Sequence, residues 1–146
     1  MLPLRHSDLY HTGIVVTDVD AAKAELTVTL GITWGFEAAV DMPVVLADGE
    51  RTLPFRMCYS ADGPHRLELV QRIEGTIWTV QNNGHAHHIG YWSDDVLAQS
   101  AALADAGISR TALIGSPASP SAVMHQLASG LHVELVDRSM SAMFDT

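Results

Sequence analysis

His11–Ile32 reads HTGIVVTDVDAAKAELTVTLGI, and this stretch decides the fold because the chain repeats it. His88–Ile108 reads HIGYWSDDVLAQSAALADAGI. Both stretches open on His-x-Gly and run through an apolar segment to an acidic pair. Both then continue into an Ala/Leu-rich segment and close on Gly-Ile. A second match lies downstream of each: HRLELVQ at His65–Gln71 and LHVELVD at Leu131–Asp137 share Glu-Leu-Val. Self-similarity of this kind marks a duplicated structural unit. The 146 residues therefore read as a single domain, 1–146, made of two copies of one module at about 8–71 and 86–137.

Each module reads as strand, helix, then three strands, an α+β class. In the first, Leu9–Thr17 is rich in β-branched residues and predicts a strand. Asp18 or Asp20 caps the next helix, which stops at Gly31. Trp34–Val40, Leu53–Tyr59 and Arg66–Val70 are strands, with turns at Asp48-Gly49 and Asp62-Gly63-Pro64. In the second, Ala86–Trp92 is a strand and Asp94–Ala106 a helix. Strands follow at Arg110–Ile114, Ala122–Leu127 and Leu131–Val136. Gly115–Ala122 (GSPASPSA) reads as a loop, and 72–84 as the linker between modules.

Side chains alternate faces along a strand. On that rule His11, Gly13 and Val15 share one face of the first strand, opposite Tyr10, Ile14 and Val16. His88, Gly90 and Trp92 oppose His87, Ile89 and Tyr91. Glu68 opposes Leu67 and Leu69; Glu134 and His132 oppose Val133 and Leu135. The apolar faces suit packing against helices. The other faces carry His11, Glu68, His88 and Glu134, which converge if both modules curl around one cavity. Two glutamates at about 4 Å repel by roughly 4 kcal/mol at an effective dielectric of about 20. A divalent cation relieves that repulsion. Imidazole nitrogen with carboxylate oxygen suits Zn, Ni, Co, Mn or Fe. Four protein ligands on an octahedral ion leave room for water or substrate, which is a catalytic rather than a structural arrangement.

HTGIVVTDVDAA, RLELVQ, HHIGYWSDD and GLHVELVD resemble, in order, the four ligand-bearing strands of the vicinal oxygen chelate superfamily. That family includes glyoxalase I, methylmalonyl-CoA epimerase, extradiol dioxygenases and the fosfomycin and bleomycin resistance proteins. The resemblance spans about Asp8 to Asp137. It implies paired βαβββ modules forming a cupped mixed sheet around a divalent metal ion held by His11, Glu68, His88 and Glu134. It further implies isomerase or lyase chemistry in which an enolate or oxyanion of a small carbonyl or thioester substrate is stabilised. Glu134 or Glu68 would serve as catalytic base, with Glu37 and Asp41 as outside candidates. A non-haem iron dioxygenase is an alternative. Extradiol members, however, usually carry four modules in a longer chain and place no ligand at the Glu68 position. A non-catalytic, drug-binding protein is the other alternative, and the resistance proteins that only bind their drug lack the ligands.

Composition excludes other classes. The net charge is −9, Lys23 is the sole lysine, and no basic stripe for nucleic acid is visible. An acidic surface argues equally against anionic membranes. The start MLPLRHSDLY has no apolar signal core, and no run reaches membrane-span length. Cys58 is the sole cysteine and reads as a core residue, so a reducing cytoplasm is expected. His6 and His65 read as surface residues, and His85 and His87 as loop or helix-facing groups without a direct role. On this reading His87→Ala leaves metal binding intact. His125 is open to either face, and His132 reads as a neighbour of the site. Arg56 and Arg66 are candidate anion binders. Trp34, Phe36, Phe55, Met57, Trp78 and Trp92 are candidates for lining an apolar pocket. The resemblance implies a homodimer, and the apolar Met140, Met143 and Phe144 of the tail are expected to be covered by a partner or by the chain's own sheet.

Overall fold

The computed structural model describes residues 4–79 and 86–145. His85 and the QNNG stretch lie outside them. Eight strands and two α-helices follow the order read from the sequence: β1 Leu9–Val16, α1 Val19–Leu30, β2 Trp34–Leu46, β3 Gly49–Ser60, β4 Arg66–Gln71, β5 His88–Ser93, α2 Val96–Asp105, β6 Arg110–Ser116, β7 Ser119–Gln126 and β8 His132–Asp137. A short 3-10 segment, Arg138–Phe144, ends the chain.

The helix boundaries have local causes. Asp18 caps α1 by accepting from the Ala21 amide at 3.1 Å, and Asp95 caps α2 by accepting from the Ala98 amide at 3.0 Å. Asp20 and Asp94 instead pair with Arg56 and Arg138. Gly31 closes α1 at φ 68°, where a residue with a Cβ is disfavoured.

The sheet closes on itself in the order β1-β4-β3-β2-β6-β7-β8-β5. Closure depends on β2 running past Val40 to Leu46, where Val44, Val45 and Leu46 pair with Ile114, Leu113 and Ala112 of β6. The stretch Gly115–Ala122 is not a loop. It is mostly strand, folded back at Pro117-Ala118, because its prolines sit where the hairpin turns and starts. The strands that carry His11, Glu68, His88 and Glu134 are neighbours in the wall, ordered β4-β1-β5-β8.

The helices lie on the outside. Val19, Ala22 and Leu26 of α1 pack on Cys58 and Leu69. Val96 and Leu103 of α2 pack on Val123, Val133 and Leu135. A third cluster, including Val15, Phe55, Val70, Trp78 and Met124, lies on the inner side of the barrel. Among the described residues no helix is long and apolar enough to cross a membrane.

Candidate metal centre

The two modules meet along β1 and β5, which run antiparallel with His11 opposite Gly90 and Gly13 opposite His88. This explains the His-x-Gly repeat. A Cβ at Gly13 would stand 2.0 Å from Cε1 of His88, and one at Gly90 would stand 1.9 Å from Cε1 of His11. Each module's glycine leaves the space that the other module's histidine ring fills. Registers within the modules match as well, with Gly13 opposite Glu68 and Gly90 opposite Glu134.

His11, Glu68, His88 and Glu134 are all buried, and one ligand atom from each lies within 4.8 Å of the others. His88 Nε2 is 2.9 Å from Glu68 Oε1 and 3.0 Å from His11 Nε2. His11 Nε2 is 3.2 Å from Glu134 Oε1 and 3.4 Å from Glu68 Oε1. Adjacent ligands of an ion bound at about 2.1 Å stand about 3.0 Å apart in octahedral geometry, so the cluster has the right size for one ion.

The hydrogen bonds around His88 also fit a cation. Nε2 of His87 lies 2.7 Å from the carbonyl of Ile77 and must donate to it. Burial, helped by His88, lowers the His87 pKa to about 3, so the ring is neutral and its Nδ1 is an acceptor. His88 Nδ1, 2.8 Å away, therefore carries the proton and donates to His87. With Nδ1 committed to His87, Nε2 of His88, 2.9 Å from Glu68 Oε1, is the nitrogen left to face an ion. Orientation of a ligand histidine through its other nitrogen is the usual companion of a metal.

Within the cluster the carboxylates favour a proton on His11. Burial opposes a charge on His11, but Glu134 and Glu68 outweigh it and raise its pKa to about 9. Burial likewise opposes the Glu68 carboxylate, yet His11 and His88 hold it well below the usual range. Burial first, then Glu134 and Glu68, push the Tyr10 hydroxyl well above its ordinary value.

Several expectations need correction. Tyr10 does not point away from His11. The register shifts between Leu9 and His11, and this bulge brings Tyr10 to the cavity as well, stacked on Trp92 at 3.6 Å. His87 precedes β5 rather than belonging to it, so strand alternation does not govern it. It sits against His88 instead of facing a helix. His132 stacks on His87 at 4.8 Å, beside the site. His125 turns to the outer face of the sheet, buried beneath α2 and bonded to Ser100 and the Ile108 carbonyl.

Glu37 and Asp41 alternate with the cavity residues Phe36, Ala38, Val40 and Met42 and so face outward, Glu37 onto Lys23 and Arg56. Arg56 is held by Asp20 and Glu37 on that outer surface. Arg66 donates to the carbonyls of Ser60 and Ala61 and lies over the Phe144 ring. Cys58 is buried core, and burial pushes its thiol up to about 11.

Glu68, His88 and Glu134 form one wall of a cavity of about 280 Å³. The rest is largely apolar, and Phe36, Phe55, Met57 and Trp78 line it as expected. Trp34 instead packs under α1. Met140 and Met143 of the C-terminal segment also contribute, a role their sequence did not signal.

Solved structures share this architecture. Methylmalonyl-CoA epimerase from Mycobacterium tuberculosis is 20% identical with a TM-score of 0.64, covering 95% of this chain and 96% of its own. A methylmalonyl-CoA epimerase in complex with methylmalonyl-CoA and NH4+ is 22% identical with a TM-score of 0.61, covering 89% and 93%. The hypothetical protein BH1468 from Bacillus halodurans C-125 is 14% identical with a TM-score of 0.61, covering 88% and 92%. At such identities the likeness is one of fold. No curated protein matches the chain. The model of the glyoxalase/bleomycin resistance protein/dioxygenase superfamily matches residues 10–122, and the chain belongs to that superfamily.

Proposed function

We propose that the protein is a metal-dependent enzyme of isomerase or lyase type that moves a proton at a carbon next to a carbonyl or thioester. The observation that carries this reading is the buried pair of glutamates and pair of histidines set into the wall of an apolar cavity. His11, Glu68, His88 and Glu134 would hold a divalent ion: Zn, Ni, Co, Mn or Fe. When bound, the ion supplies Lewis-acid stabilisation of negative charge developing on a substrate oxygen. The epimerase fold neighbours support an isomerase over a lyase.

The chain's own residues divide the remaining work. Glu68 is the more tightly held carboxylate, 2.9 Å from His88 Nε2, whereas Glu134 stands 3.8 Å from the same nitrogen. Glu134 is also the less buried of the two, at 8% exposed against 4%. We therefore assign Glu134 as the base that takes the proton from the substrate carbon and returns it. Glu68 stays in place. The apolar walls exclude water, so a proton held on Glu134 goes back to carbon rather than to solvent.

The test is deuterium incorporation at the carbon next to the carbonyl, measured in heavy water on metal-loaded protein. The panel comprises acyl-CoA thioesters, hemithioacetals and small hydroxy ketones. Glu134→Gln should slow exchange by about 100-fold or more, in the range of a lost general base. Exchange that is absent from every substrate, or equal in the variant, would leave a binding protein as the better reading.

A further inference from the structure

We propose that the C-terminal segment Arg138–Phe144 is the specificity element of the cavity: Met140 and Met143 form an adaptable wall that sets how bulky an apolar group the substrate can place beside the metal centre. This rests on the proposed proton-transfer reading, in which oxygens of the substrate meet the ion. It concerns the part of the substrate that the ion does not hold.

The segment is a 3-10 helix. Such a helix has three residues per turn, so side chains three apart fall in line. Met140 and Met143 stand at that spacing, and both line the cavity. The residues around them fasten the segment to the barrel. At its start Asp137 accepts from the Ser139 amide at 2.9 Å, and Arg138 donates to Asp94 at 2.5 Å and to Asp8 at 3.0 Å. At its end the Phe144 ring meets Tyr59 edge to face at 5.1 Å and Tyr10 at 6.0 Å, with the Arg66 guanidinium 4.1 Å from its centre. Asp8 directly precedes β1 and Asp94 directly follows β5, so the segment is tied beside the two strands that carry His11 and His88. The backbone of the two methionines is thereby held over the site, while their long side chains can change rotamer.

The walls of the cavity differ in stiffness. Phe55 and Trp78, both buried, meet edge to face at 4.7 Å, and closely packed rings leave little room to rearrange. Methionine is unbranched, with three rotatable bonds, and makes favourable contacts with ring edges. Met143 packs against the buried cluster of Tyr10, Tyr59, Ala122 and Val136, whereas Met140 is 39% exposed. Met143 is therefore the inner part of the wall and Met140 the outer. A cavity of about 150 Å³ is enough for benzene. The 280 Å³ here holds a phenyl-sized group with a short oxygen-bearing head, and a second fused ring has to press on the methionines.

The experiment uses cobalt-loaded, full-length protein and two hydroxamates, benzohydroxamate and 2-naphthohydroxamate. Both present the same pair of oxygens to an ion and differ only in the apolar group. Binding is read from the visible absorption of the cobalt. The wild type should prefer the phenyl compound. Met143→Ala should shift the ratio of the two affinities about tenfold toward the naphthyl compound, and Met140→Ala should shift it less. Met143→Phe fills the space instead and should shift the ratio the other way, an independent test of the same wall. Ala142→Ser, at an exposed position of the same segment, should leave it unchanged. Neither methionine is among the four candidate ligands, so each variant should keep the cobalt content and circular dichroism spectrum of the wild type.

A ratio that is the same in the wild type and both Met143 variants overturns the proposal, as does an equal shift in Ala142→Ser. Cobalt retained with no response to either hydroxamate overturns the proposal together with the proton-transfer reading, since the ion then has no open position. A shifted ratio in protein that incorporates no deuterium into any substrate of the panel supports the wall and counts against the proton-transfer reading alone. Deuterium uptake with an unchanged ratio does the reverse.

Discussion

At the residue scale, the two glycines of the repeat are as much part of the site as the histidines. Gly13→Ala and Gly90→Ala each put a methyl group where an opposite imidazole lies, at 2.0 and 1.9 Å. The ring can swing away more cheaply than the sheet can part, so the fold should survive while the ligand leaves its place. We expect each variant to keep its circular dichroism spectrum and lose about 10–100-fold in metal affinity, measured by competition with a chelator. Thr12→Ala, on the outward face beside His65, is the control and should bind metal as the wild type does. Unchanged affinity in the glycine variants would show that the rings tolerate displacement. His88→Ala should abolish metal retention. His87→Ala should cost about 10–100-fold, because it removes the acceptor that fixes the His88 tautomer. Strand alternation alone gives the opposite expectation for His87. Alternation put His11, Glu68, His88 and Glu134 on one face because the ladders that run onward from His11 and His88, and through Glu68 and Glu134, are regular. It failed at His87, one residue before β5 begins, and at Tyr10, beside a bulge. Neither irregularity leaves a mark in composition or period.

At the scale of elements, the repeat made the order of strands and helices legible, but not the closure of the barrel. Closure is a long-range pairing of the extended end of β2 with β6, and Pro43 within β2 reads locally as a breaker. The packing of α2 supplies a separate, testable consequence. His125 is fully buried beneath this helix, with Nε2 2.7 Å from Ser100 Oγ and Nδ1 donating to the Ile108 carbonyl at 2.8 Å. Burial, the dominant cause, lowers its pKa below the ordinary histidine value. The sign follows from proton counting. Above about pH 6.5 the ring is neutral in both folded and unfolded chains, so its contribution is fully present. As the pH falls below that value, the unfolded chain takes up a proton that the folded one refuses, and stability is lost until the lowered pKa is reached. His125→Gln should be less stable at neutral pH, since one buried bond is lost, by about 1–2 kcal/mol. Its stability should also fall less steeply between about pH 6.5 and pH 5 than that of the wild type, in urea titrations. Parallel curves would mean that His125 protonates freely in the native state.

At the scale of the whole molecule, the closed barrel brings all four groups of the candidate metal centre from one chain. The C-terminal segment completes the enclosure. Met143 and Phe144 pack with Tyr10, Tyr59 and Trp92, and Arg138 ties the segment to Asp94 and Asp8. The apolar tail therefore has cover on its own sheet, and Met140 is its most exposed large apolar group at 39%. A homodimer, the assembly implied by the family resemblance, would join two complete sites rather than build one between subunits. Two measurements follow. Light scattering at high protein concentration should give the mass of a dimer, and metal analysis should give one ion per chain. Dilution until the particles are monomers should leave that ratio and the chelator-competition affinity unchanged, since no ligand has to cross an interface. Metal lost in step with dissociation would instead require a ligand, or the support of one, from a second chain. It would also require that β2 and β6 part in the dimer and pair across it, which deletion of Arg138–Thr146 should then favour by freeing the mouth of the barrel.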